Sequence, residues 1–89
     1  MTANEVKQIR EALGLTQVQL AQLMGLHPIT VSKWERGESE PTPYQVNLLN
    51  HFREGARTKE VKENLVQVLL GMGVAVALAL LLKHLLSKK

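Results

Sequence analysis

The 89-residue sequence contains no cysteine, which excludes a disulfide framework and thiolate metal sites and fits a reducing compartment. It also lacks clustered histidines. His27, His51 and His84 stand far apart without metal-ligand spacing, so neither a metal nor a cofactor is expected. No nucleophile–base pair, acidic dyad or phosphate-binding loop is present, which argues against an enzyme and against a small-molecule substrate. Near Met1 the residues Glu5, Lys7 and Arg10 lie in a polar periodic stretch, with no apolar segment of the secretory kind. A cytoplasmic location for the N-terminal part is the expectation. Neither strand alternation nor an internal repeat appears, so the expected class is all-α, with one small folded unit and an appendage.

Charge is also scarce where nucleic-acid binding would ask for it. The formal net charge is +3, but residues 1–58 hold six Lys/Arg and six Glu, while residues 59–89 hold five Lys and two Glu. A DNA-binding reading must therefore rest on where individual charges sit, because overall pI cannot carry it.

What is present is a set of helix punctuation marks. The pattern Ser/Thr, two residues, then Glu/Gln occurs at Thr2 (TANE), Thr16 (TQVQ) and Thr42 (TPYQ). Each is a capping box that pairs backbone donors a helix start leaves open. Val6, Ile9 and Leu13 form the inner stripe of a first helix ending near Gly14. Leu20, Ala21 and Met24 form that of a second, ending at Gly25. A third helix, over residues 28–36, begins at Pro28, turns Val31 and Trp34 inward and closes at Gly37. A fourth begins at Pro43, with Tyr44, Leu48, Leu49 and Phe52 expected inside. Thr58 caps a fifth, expected to run unbroken to about residue 87, with Glu60 and Glu63 near its start and Lys83, Lys88 and Lys89 near its end.

Two short helices joined by a tight Gly-containing turn, residues 15–38 (LTQVQLAQLMGLHPITVSKWERGE), form a helix-turn-helix, which presents its second helix to the major groove. Over residues 5–53 the chain resembles the Cro/repressor-like (Xre) helix-turn-helix family. The resemblance lies in Thr16-Gln17 opening the second helix, Leu20-Ala21 in its middle, Gly25 in the turn, Val31 and Trp34 in the third helix, and WERGE leading into P-x-P. It implies a Cro/repressor-like helix-turn-helix DNA-binding domain over residues 1–56, five helices in all with the long apolar C-terminal helix, and Ala21 letting the second and third helices cross closely.

With Val31 and Trp34 inward, Pro28, Ile29, Ser32, Lys33 and Arg36 occupy the outer face of the third helix. The resemblance matches Ile29, Ser32 and Lys33 to base-reading positions and Gln17 to one that contacts phosphate and sometimes base. Lys33 can donate to guanine O6 and N7, Ser32 can serve several bases, and Ile29 can rest on a thymine methyl. Thr30 and Arg36 suit phosphates. His27 stands where the family more often has a capping Ser or Thr; it is either a phosphate contact or a tolerated turn residue. The blander reading of Lys33, Arg36 and Ile29 is an ordinary solvated face. A domain of zero net charge has little non-specific affinity, so regulation implies a homo-oligomer on a two-fold site in double-stranded DNA.

The remaining segment, residues 57–89, raises a different problem. Residues 68–82 pass without a charge, amide or hydroxyl, so a helix there must be covered all round, by lipid or by protein. Gly71, Ala75 and Ala79, with Gly73 and Ala77 beside them, form a small-residue stripe that suits close helix contact, and these five are the candidate oligomerisation residues. A membrane span through residues 65–86 is the competing reading, thin for a hydrocarbon core of about 30 Å. Coverage in water requires a hairpin back onto the domain, a bundle of four or more helices, or a larger assembly. The functional readings are accordingly a DNA-binding transcriptional regulator, a repressor acting as a homo-oligomer on a two-fold operator, or a membrane-tethered or self-assembling DNA-binding protein.

Overall fold

A computed structural model describes residues 1–86, which form six helices: α1 (Ala3–Ala12), α2 (Gln17–Met24), α3 (Pro28–Glu35), α4 (Pro43–Gly55), α5 (Lys59–Met72) and α6 (Val74–Leu86). The three capping boxes are made as the sequence predicts, each threonine accepting from the N3 amide while the N3 side chain returns to the threonine N–H. Thr58 caps α5 by accepting from the Val61 N–H. Gly25, at φ 68°, closes α2, and the Leu26 amide behind it donates to the Ala21 carbonyl at 2.9 Å, which fixes the turn into α3.

One core runs through all six helices. Val6, Ile9, Leu13, Leu20, Ala21, Val31, Trp34, Leu49 and Phe52 are buried as expected, together with Val61, Leu65, Leu69, Ala77 and Leu81 from the last two helices. Three inward assignments differ. Tyr44, in the first turn of α4, is 76% exposed, and Leu48 is only partly buried. Leu23 takes the place expected for Met24, which is only partly buried.

The long C-terminal helix does not form, and the helix count is six rather than five. A straight helix over residues 58–87 would measure about 45 Å, against a longest molecular extent of 34 Å. The chain breaks at Gly73, whose φ of 95° and ψ of 177° lie in a region essentially reserved for glycine. Past this point α6 folds back along α5 and also packs on α4 and α2. Glu60 and Lys83, 23 positions apart, consequently meet at 3.4 Å. Lys88 and Lys89, expected at the end of the long helix, lie outside the described residues.

This hairpin also overturns the continuous small-residue stripe. Gly73 is the break itself, Ala77 is fully buried in the chain's own core, and Gly71, Ala75 and Ala79 are exposed on two different helices. Among the described residues no helix is long and apolar enough to cross a membrane, so the span through residues 65–86 has no support. The close approach lies elsewhere. At Gly55, a Cβ would stand 2.7 Å from the Leu81 carbonyl oxygen, so α4 and α6 cross backbone to backbone there.

The glycines thus carry opposite predictions. Gly55→Ala should destabilise the fold by about 1–3 kcal/mol through overpacking, and Gly73→Ala should destabilise it by straining the hairpin turn. Gly71→Ala, in open space on a helix, should stabilise by about 0.5–1 kcal/mol. Urea unfolding of the three variants tests the set; a stabilised Gly55→Ala would contradict the crossing.

Candidate nucleic-acid interface

The pose of α3 is set from below by apolar burial and from the side by an ion pair. Val31 and Trp34 are 0% and 2% exposed and seat the helix on the core. At its C-terminal end Glu35 accepts two bonds from Arg10 of α1, from Nε at 2.7 Å and from NH2 at 2.9 Å. Arg10 uses NH1 to reach the Leu15 carbonyl at 3.0 Å, and Gln17 Nε2 donates to Glu35 at 3.2 Å. One carboxylate therefore joins α1, the start of α2 and the end of α3. The Glu35 side chain is only 6% exposed. Its burial pushes the carboxyl pKa up, but the bonds from Arg10 and Gln17 and the charges of Arg10 and Lys7 outweigh that and hold it below its ordinary value. The Arg10 pKa is raised, chiefly by its hydrogen bonding to Glu35.

At the other end, His27 caps α3. Its Nδ1 accepts from the Ile29 N–H at 3.1 Å, which assigns the ring proton to Nε2. Pro28 has no N–H to satisfy, and the Thr30 amide donates to the His27 carbonyl at 2.9 Å. The first turn is thereby paired without a serine or threonine, so the imidazole is a working cap as well as a turn residue.

Between these fixtures lies the outer face. Ile29 is 46% exposed, Lys33 and His27 are exposed, and Pro28, Thr30 and Ser32 are half-buried. Three expected contacts, Gln17, Ser32 and Arg36, have partners within the chain. Gln17 spends one amide N–H on Glu35 and keeps the other. Arg36 binds Glu38 through Nε at 2.6 Å and NH2 at 3.3 Å, and donates from NH1 to Ser32 Oγ. No motif in the sequence assigns a role to Glu35, Glu38, Arg10 or the half-exposed Val18. Arg10 and Glu35 do carry a signal in retrospect, since each directly follows a core residue, Ile9 and Trp34, and so borders the apolar stripe. Their pairing across 25 residues depends on how α1 meets α3. Among the described residues no group of three or more His, Asp or Glu side chains is placed to hold a metal ion.

The family model described as Helix-turn-helix matches residues 6–50, about half of the chain. The chain belongs to this helix-turn-helix family, of the Cro/C1, Xre-like type, a family of DNA-binding domains. No curated protein and no solved structure matches the chain.

Removing the cation from the half-buried pair, as in Arg10→Met, should cost about 2–4 kcal/mol, because Glu35 then stays desolvated without its partner. The lowered carboxyl of Glu35 contributes stability in full above its unfolded value of about 4.3, and that contribution is lost as pH falls through the lower folded value. Unfolding midpoints measured from pH 5 to pH 3 should therefore drop, and drop less steeply in Glu35→Gln.

Proposed function

We propose that this chain is a sequence-specific double-stranded DNA-binding transcriptional regulator, a repressor that occupies a two-fold operator as a homo-oligomer and excludes polymerase. The observation that carries the reading is the outer face of α3. It is capped at His27, tied at Glu35 and seated on Trp34, and it still presents Ile29, Ser32 and Lys33 outward. A rigid helix with a free polar and apolar face is what reading base edges demands. Lys33 donates to guanine, Ile29 packs on a thymine methyl, and Thr30 and the His27 Nε2–H serve phosphates.

The homo-oligomer rests on the turn between α5 and α6. Leu70 and Met72 are 72% and 70% exposed and Val76 is 44% exposed, with Gly71 and Ala75 open beside them. Clustered apolar side chains left in water favour association with a second surface. A second copy would supply the second reading head that a nearly neutral domain needs for affinity.

Selection of tight-binding duplexes from random DNA with the full chain should return a two-fold consensus. Lys33→Ala should weaken binding to it by roughly 1–3 kcal/mol and relax the preference at one position. A consensus unaffected by Lys33→Ala would refute the groove assignment. Leu70→Glu should lower the mass measured by light scattering, and an unchanged multimer would refute the α5–α6 interface.

A further inference from the structure

Glu38 is an odd residue to find beside a DNA-reading helix. A carboxylate just past a helix C-terminus meets the negative end of the helix dipole, and near DNA it also repels phosphate. Its position is nonetheless firmly built. Gly37, at φ 74°, turns the chain back, its amide donates to the Trp34 carbonyl at 3.1 Å, and the Glu38 amide donates to the Lys33 carbonyl at 2.9 Å. This double closure of the last turn of α3 places the Glu38 carboxylate against Arg36, at 2.6 Å from Nε and 3.3 Å from NH2. The same guanidinium reaches one turn back along α3 and donates from NH1 to Ser32 Oγ. Three of the five guanidinium N–H groups are thus engaged, and the fork is oriented by its carboxylate partner.

The consequence falls on Ser32. A serine hydroxyl can donate or accept, and an unconstrained one reads several bases. Here a cation occupies the acceptor side of Oγ, which turns the hydroxyl proton away and disfavours a second donor approaching that oxygen. We propose that Glu38, acting through Arg36, sets Ser32 as a hydrogen-bond donor, so that the reading face selects a base pair presenting an acceptor beneath Ser32. The acceptors available in the major groove are purine N7, guanine O6 and thymine O4; the donors cytosine N4 and adenine N6 are disfavoured. Glu38 is then a positioning residue for specificity, and Arg36 shifts from a phosphate anchor to the middle of a relay. Its charge is offset by Glu38, so it adds little to non-specific attraction and leaves two N–H groups for a nearby phosphate. This inference rests on the reading that α3 enters the major groove.

The test uses the full chain and the consensus duplex selected by the wild type, with each base pair varied in turn. Ser32→Ala marks the pair read by Ser32 as the one whose preference it erases. Glu38→Gln and Arg36→Lys, which keeps the charge but loses the fork, should each lower the preference at that same pair about five- to tenfold and leave the other positions unchanged. Removing the acceptor in synthetic duplexes, with 7-deazapurine for N7 or a base lacking O6 or O4, should weaken the wild type and leave Ser32→Ala unaffected. Both variants alter exposed side chains, and thermal melting verifies that the fold is kept. If Glu38→Gln changes affinity equally on every duplex, the pair is a surface ion pair only and the relay is overturned. A wild-type chain that selects no consensus would overturn the major-groove reading itself; a consensus dependent on Lys33 but indifferent to Glu38 would overturn the relay alone.

Discussion

The Arg10–Glu35 pair is the interaction on which the geometry of the reading helix depends. Apolar burial of Val31 and Trp34 holds α3 against the core, but burial is non-directional and tolerates rotation about the helix axis. A bidentate guanidinium–carboxylate contact does not, because two short bonds to one carboxylate must be kept together. Its placement at the last residue of α3 fixes the end of that helix relative to α1, and the Gln17 bond extends the constraint to the start of α2. Helix axis, rotation and start are then set by three separate devices: the core, the ion pair and the His27 cap.

A second constraint governs the C-terminal third of the chain. The apolar run over residues 68–82 is too apolar to stand in water as one helix, and Gly73 lets it fold in two. Folding back buries Ala77 and Leu81, and Leu81 seats where the backbones cross at Gly55. The hairpin covers only part of the run, and Leu70, Met72 and Val76 stay exposed around the turn. The surface left over is the one assigned to a second copy of the chain. The outer face of α3 and the exposed apolar turn between α5 and α6 come from the N-terminal and C-terminal halves of the sequence, yet they share one core.

Much of the domain is legible in the sequence because its signals are local. Capping boxes at Thr2, Thr16 and Thr42 act within four residues and the closures at Gly25 and Gly37 within six, so each start and stop is decided by neighbours. The inward positions of Val6, Ile9, Val31 and Trp34 follow from a 3.6-residue period. What the sequence does not disclose depends on distant partners. Tyr44 has the right period for the core, but its turn of α4 has nothing packed over it. Gly71 and Gly73 are two residues apart in similar apolar surroundings, and only the docking of α6 on α4 selects Gly73 for the turn. The outer face of α3 was placed from the period, whereas the engagement of Gln17 by Glu35 and of Arg36 by Glu38 requires knowing which helix ends meet.

The most direct test of the central claim, that the outer face of α3 meets DNA, is a residue-resolved NMR titration of the full chain with the duplex it selects. Amide shifts should concentrate at residues 27–33 and at Gln17, while Val6, Leu49 and Phe52 in the core stay in place. Shifts confined to α4, α5 and α6, with α3 unchanged at saturation, would contradict it.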